Sequence, residues 1–225
     1  MKHVQFSKTG EYHKKNNLEN QDYTYTYETS EGAFYAIADG VSSCKNSREG
    51  AEIACAISAK VILDDIDYYF DSNPEKTINL ILANIRHRIN KIAKEANQQD
   101  ISYASTLCFV CVHKKRRQAM TFVLGDSRIY FLSSESVYQK NPVHPYEDNV
   151  TCTTLTEFAQ EDVGFSIDDY SEDDRFILCT DGCWKNLFYI DEKNNTVMKK
   201  VDSNEIMEYL NDTMISDDCS FLAVA

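Results

Sequence analysis

Apolar residues along this chain follow two rhythms, and the switches between them predict its elements. Short runs in which apolar, β-branched and aromatic residues alternate or stand unbroken cover Val4 to Ser7, Asp22 to Thr29, Ala33 to Ala38, Ser105 to His113 and Gln118 to Leu124. Three more follow at Arg128 to Ser133, Phe176 to Cys179 and Ser220 to Val224. Their length and period predict β-strands. Between the third and the fourth the spacing becomes helical. Ser47 is a good N-cap with Glu49 in the first turn, and Ala51, Ala54, Cys55, Ser58, Ile62, Ile66 and Tyr69 share one helix face. Asn73 caps a second helix with Pro74 at its first position, and its stripe of Ile78, Ile81, Leu82, Ile85, Ile89, Ile92 and Ala96 reads as core. A third helix is expected over Asn204 to Thr213. Consecutive strands look hairpin-linked, so the sheet should be mainly antiparallel. Helices with one apolar face must cover sheet faces, which makes a layered α+β sandwich the natural packing.

Composition narrows the picture. The 225 residues include only 7 Gly and 3 Pro, with no repeat or low-complexity linker, so one domain over 1–225 is expected. With 43% hydrophobic residues, 14 Tyr and 11 Phe, the chain can fill a core, which argues against disorder. Asp plus Glu number 36 against 23 Lys plus Arg, and a net charge of −13 repels a phosphate backbone, so nucleic acid is not an expected partner. The longest apolar runs, Ala33 to Ala38 and Ala104 to Val112, are far below the ~20 residues that span a bilayer, and no membrane association is expected. The N-terminal Met-Lys-His-Val-Gln-Phe-Ser-Lys lacks the apolar core of a signal peptide, so a cytoplasmic location is expected and the 8 cysteines read as thiols. Cys108 and Cys111 have a zinc-like spacing, but residues three apart in a strand face opposite ways and no second pair follows. Cys55, Cys108, Cys111 and Cys179 therefore read as small buried hydrophobes. Residues 134 to 175 are the least regular, and their acid pairs Asp168-Asp169 and Asp173-Asp174 predict a solvated loop.

Four separated places set an aspartate beside an apolar strand: Ala38-Asp39-Gly40, Gly125-Asp126-Ser127, Thr180-Asp181-Gly182 and Ser216-Asp217-Asp218. Each alone is a turn signal. Together they point further, because strand ends of layered sheets converge, clustered carboxylates repel unless a cation neutralises them, and hard oxygen ligands select magnesium or manganese.

These residues resemble the metal-dependent serine/threonine protein phosphatases of the PP2C type, in the family's order and over nearly the whole chain. Gly10-x-x-His13 and Asn20-Gln21-Asp22 are similar to the N-terminal motif of bacterial members. Ala38-Asp39-Gly40-Val41-Ser42-Ser43 with Glu49-Gly50-Ala51, then Ser105-Thr106-Leu107, Gly125-Asp126-Ser127-Arg128, Thr180-Asp181-Gly182 and Asp217-Asp218-Cys219-Ser220 complete the set. The resemblance implies a four-layer αββα sandwich, two mainly antiparallel sheets flanked by helices, with manganese or magnesium in a cleft between sheet ends. It implies that Asp39 bridges two ions, that the Gly40 carbonyl binds one, and that Asp181 and Asp217 complete the set. Asp22 would hold a metal-bound water and Asp126 would support a weaker third ion. Asp39 and Asp181 would then serve catalysis through that water, with Ser127 and Ser220 structural.

Three departures stand out. Ser42 and Ser43 replace the usual glycines, and Val41 stands where animal members carry a proton-donating histidine. Asn17 aligns with the family's phosphate-gripping arginine, leaving His13, Lys14 and Lys15 as the nearby candidate phosphate donors. The stretch between Asp126 and Asp181 should hold the family's flap; within it Glu157, Glu161 and Asp162 read as solvent-exposed, and Trp184, just beyond, as packing. The expected activity is hydrolysis of phosphoserine and phosphothreonine in proteins, possible partners being phosphoprotein substrates and a cognate Ser/Thr kinase. The competing readings are a weak or inactive relative that binds phosphoproteins or a kinase, and hydrolysis of a small phosphorylated molecule.

Overall fold

The computed structural model describes residues 2–132, 137–140, 153–155, 163–171, 173–191, 196–199 and 205–225. Two five-stranded antiparallel sheets stack face to face. One holds β2 (Asp22–Glu28), β3 (Gly32–Asp39), β4 (Leu107–His113), β5 (Gln118–Leu124) and β8 (Gly164–Asp169) in that order. The other runs β1 (His3–Lys8), β12 (Cys219–Val224), β9 (Arg175–Cys179), β6 (Arg128–Leu132) and β7 (Val137–Lys140). Apart from these, β10 (Phe188–Asp191) and β11 (Thr196–Lys199) form a two-stranded ribbon.

The unbroken apolar run of β3 is explained by burial on both faces. Ala33, Tyr35 and Ile37 point into the layer between the sheets, where they meet Val110, Leu178 and Leu222. Phe34, Ala36 and Ala38 point the other way, into a core closed by α2 (Ser47–Asp64) and α4 (Pro74–Glu95). A strand covered on both sides has no reason to alternate. On the far face of the second sheet, α5 (Asp181–Leu187) and α6 (Ile206–Asp212) cover Phe6, Ile177 and Phe221. The order of layers is therefore helix, sheet, sheet, helix, as expected of an αββα sandwich. Lys8 Nζ ties β1 to the end of α6 by donating to the carbonyls of Leu210, Asn211 and Thr213 at 2.8–2.9 Å, a favourable charge for a helix C-terminus.

Several expectations change in detail. The single helix from Ser47 to Tyr69 is two, because Asp65 leaves the helical region at φ −148° and α3 (Ile66–Asp71) restarts beyond it. The pair Asp64-Asp65 sits where a helix dipole disfavours negative charge, and the break still buries Ile66, Tyr69 and Phe70. On α4, Asn73 Oδ1 accepts from Lys76 N at 2.8 Å and Pro74 follows it, but Ala93 rather than Ala96 completes the buried stripe. Asp168 and Asp169 are not in a loop. They lie on edge strand β8, where Lys140 Nζ stands 2.9 Å from Asp168 and Gln118 pairs with Asp169. Cys108 and Cys111 do face opposite layers, and every cysteine among the described residues is a free thiol. Glu157, Glu161 and Asp162 lie outside the described residues, as does much of the stretch assigned to a flap.

Candidate functional site

Strand register brings the aspartates to one end of the sandwich. Asp22, the first residue of β2, pairs with Asp39, the last of β3. Leu107 pairs with Leu124, so the turn carrying Asp126 leaves β5 at that same end. In the second sheet Cys179 pairs with both Arg128 and Phe221, which aligns the exit of β9 before Asp181 with the entry to β12 after Asp217. The family resemblance assigned these five acids to one centre, and the structure does bring them together. Asp39 lies within reach of the charges of the other four. Burial first, then the charges of Asp22, Asp181, Asp126 and Asp217, push the Asp39 carboxyl well above the usual carboxylate range. Burial likewise pushes Asp22 up to about 8 against the opposing hydrogen bond of Thr180. Asp126 and Asp217 are raised by burial and next by Asp181.

Threonines and glycines hold this arrangement. Thr180 Oγ1 donates to Asp22 Oδ2 at 2.8 Å and receives the Ser220 N–H at 3.0 Å, bridging the two sheets beneath the acids. The Asp39 N–H donates to Thr106 Oγ1 at 2.8 Å, and that hydroxyl meets Ser127 Oγ at 3.2 Å. Ser220 Oγ pairs with Ser7 Oγ at 2.9 Å. Both serines beside acids are thus engaged with the framework. A Cβ on Gly10 would overlap the Asp217 backbone, and one on Gly182 would overlap the Asp218 carbonyl. The 217–218 turn is clasped between two glycines because nothing larger allows so close an approach.

Asp218 has a different environment. Its carboxylate, 2% exposed, accepts from Gly10 N at 2.8 Å, Gln21 N at 2.6 Å and His13 Nδ1 at 2.7 Å. His13, expected as a phosphate donor, is itself 2% exposed and belongs to this buried network. Lys14 is exposed and bound to Glu11 at 2.8 Å, and Lys15 is exposed beside it on α1 (Glu11–Lys15). Asn17 has φ +52°. With Leu18 N donating to His13 O at 2.9 Å and Asn17 N to Lys14 O at 3.3 Å, it closes α1 as a Schellman cap. Asn97, φ +53°, ends α4 in the same way. A left-handed position favours asparagine and disfavours arginine, which gives Asn17 a backbone reason to depart from the family pattern.

Sequence reasoning found Asp181 and named Trp184 but missed α5 and Lys185 on it. Trp184 Nε1 donates to the Asp126 carbonyl at 2.9 Å, and the Arg128 guanidinium lies 3.5 Å from the centre of its ring. Lys185 Nζ stands 2.6 Å from Asp181 Oδ2. Burial works against that ammonium, but the Asp181 hydrogen bond and the charges of Asp181, Asp126 and Asp217 hold its pKa above the ordinary lysine value. The signal was available as the i,i+4 pair Asp181 and Lys185, once a helix is drawn there.

The donor set suits a hard divalent ion. Asp22 Oδ1 and Asp181 Oδ1 are buried with no partner among the described residues, an arrangement that costs free energy unless something of positive charge meets it. As they stand, no three His, Cys, Asp or Glu side chains among the described residues close to ligand distance. Mutually repelling carboxylates favour such separation until a cation draws them in.

A profile described as Protein phosphatase 2C matches residues 9–215. No curated protein sequence matches the chain. Among solved structures, the serine/threonine phosphatase Stp1 from Staphylococcus aureus is 15% identical, with 100% of this chain and 94% of that one covered and a TM-score of 0.66. PppA, described as a key regulatory component of T6SS in Pseudomonas aeruginosa, is 17% identical over 99% and 96% of the two chains with a TM-score of 0.68. RsbX in complex with magnesium is 16% identical over 98% and 92%, with a TM-score of 0.62. At these identities the likeness is one of fold. The profile spans most of the chain and the motifs stand in its order, so this chain belongs to the protein phosphatase 2C family.

Proposed function

We propose that this chain hydrolyses phosphoserine and phosphothreonine in proteins with the help of two manganese or magnesium ions. The observation that carries this reading is the convergence of Asp22, Asp39, Asp126, Asp181 and Asp217 on one sheet end, with inner oxygens of Asp22 and Asp181 left without partners among the described residues. When bound, two such ions lower the pKa of water and neutralise charge developing on a phosphoester oxygen. Asp39, Asp181, Asp217 and the Gly40 carbonyl would hold them, and Asp126 would add negative charge at one flank.

The chain's own residues supply the rest. Asp22, with one oxygen anchored by Thr180 and the other without a partner among the described residues, can accept a hydrogen bond from the attacking water and orient it. Ser127 and Ser220 are engaged elsewhere, so direct attack by water is favoured over a phosphoserine intermediate on the enzyme. Lys14 and Lys15 are the exposed cations of the N-terminal motif. They are point charges rather than a bidentate fork, and substrate should be held weakly. A cytoplasmic setting with a Ser/Thr kinase that supplies the phosphoprotein belongs to the same proposal.

Asn17 supports a second reading, a module that binds phosphoproteins without turnover, because a left-handed cap cannot readily carry the arginine grip. Initial rates on an aryl phosphate and on a phosphothreonine peptide, with manganese and with excess chelator, separate the two. Metal-dependent turnover on the peptide supports the enzyme. Full rates in chelator overturn the metal reading, and no turnover with manganese present leaves the binding module.

A further inference from the structure

The acids at the sheet end are not all equally bare. Asp39 is surrounded by the charges of four other aspartates. On the flank formed by Asp126 and Asp181, by contrast, cations of the protein itself are already in place. Lys185 Nζ lies 2.6 Å from Asp181 Oδ2, although 56% of its side chain is exposed. Its charge and that of Arg128 both act on Asp126. Trp184 fixes the geometry, with its indole N–H on the Asp126 carbonyl, the Arg128 guanidinium 3.5 Å from its ring centre and Lys185 Nζ 5.5 Å from it. Asp181 is in the first turn of α5 and Lys185 one turn later, so the helix itself delivers the ammonium to the carboxylate.

We propose that Lys185 is the resident cation of the Asp126 and Asp181 flank, standing where a third divalent ion would otherwise be needed, so that the centre takes up two ions and no third. This rests on the metal-dependent reading of the site. An ammonium has one positive charge and no open coordination position. It offsets part of the charge of Asp181 and Asp126 but cannot bind or activate a water as a metal ion does. It also competes for Asp181 Oδ2, an oxygen that the two-ion centre needs, and so weakens uptake of the ions. Lys185 is therefore a positioning residue that sets how many ions bind and how tightly.

The test compares the parent protein with Lys185→Met, Lys185→Asp and Lys91→Met, the last an exposed lysine on α4 that controls for net charge. Manganese binding is titrated by calorimetry, and metal-free melting is followed by circular dichroism. The expected result is two ions for the parent, tighter binding by about tenfold for Lys185→Met from loss of a repelling charge, and a third ion for Lys185→Asp. Metal-free Lys185→Met should also melt roughly 2–4 °C below Lys91→Met, since the flank loses its counter-charge. Three ions in the parent, or identical binding for the parent and both Lys185 variants, would overturn the proposal and leave an ordinary helix-surface pair. If none of the proteins binds manganese, the metal reading fails on its own. The resident-cation role is then decided by melting alone, and equal melting of Lys185→Met and Lys91→Met ends it.

Discussion

Asp217 and Asp218 are neighbours in sequence and opposites in environment. Asp218 has three donors on its two oxygens and anchors the N-terminal segment through Gly10, His13 and Gln21. Asp217 accepts the Asp218 N–H at 2.9 Å and otherwise belongs to a group of acids that raise one another's pKa. The same contrast holds between Asp218 and Asp22, both almost fully buried, since Asp22 Oδ1 has no partner among the described residues. A buried carboxylate with its donors in place holds a fold together. One held among other carboxylates works against the fold and is worth keeping only for what it binds.

The comparison predicts its largest effect at Asp218. Asp218→Ala should lower stability by about 3–5 kcal/mol, because it strands two buried N–H groups and the His13 ring, and chemical denaturation reads this directly. Asp218→Asn, which keeps the shape and one acceptor, should cost less. Asp39→Asn should do the reverse. Turnover should fall by at least about a hundredfold, while the metal-free protein melts at the parent temperature or above it, since a repelling charge is gone. If Asp39→Asn melted as low as Asp218→Ala, the two kinds of acid would not differ as described.

The contrast sharpens with pH. Asp22 is raised to about 8, with burial the main cause, and Asp39, Asp126 and Asp217 are raised as well. A carboxyl whose folded pKa lies above its unfolded value of about 3.9 binds its proton more tightly when folded. Its contribution is complete below pH 4 and is lost as pH rises through the folded value, near 8 for Asp22. A divalent ion replaces those protons. The rise in melting temperature on adding millimolar manganese should thus be larger at pH 8 than at pH 6, by scanning calorimetry. An equal rise at both, or none, would detach the raised acids from metal binding.

The smallest expected effect concerns the cap at Asn17. Asn17→Gly should change stability by only a few tenths of a kcal/mol, whereas Asn17→Ala and Asn17→Arg should each cost about 1 kcal/mol for placing a Cβ residue at φ +52°. Asn17→Arg should still lower the Michaelis constant on a phosphothreonine peptide if position 17 faces the substrate. An unchanged constant with the same loss of stability would make the residue a cap alone.

Much of the fold was legible because its cues are local. The eight strands expected from spacing are all present, and so are the three helices, although the first is broken in two at Asp65 and has Asn46 rather than Ser47 at its N-cap; Asn73 caps α4 and Pro74 opens it as expected. Missed elements are short or lack a periodic signal: α1 has five residues, α5 has seven, and the edge strand β8 carries the acids of Asp168-Asp169. The candidate acids Asp39, Asp126, Asp181 and Asp217 were legible too, because aspartates beside a glycine or a second acid at strand ends form a pattern in one dimension, to which the family resemblance added Asp22.

Which acid does what was a different matter. Asp217 and Asp218 look alike in sequence, and only the approach of Gly10, His13 and Gln21 from about two hundred positions away makes one of them structural. His13 looked like a surface donor until the same contact buried it. Asn17 looked like a lost arginine until its backbone showed a helix cap. Local pattern determined the strands, the helices and the list of candidate carboxylates, since these depend on residues a few positions apart. Burial and partnership were decided by tertiary structure alone, because a carboxylate's charge state and role depend on the donors and charges packed around it, and these arrive from every part of the chain.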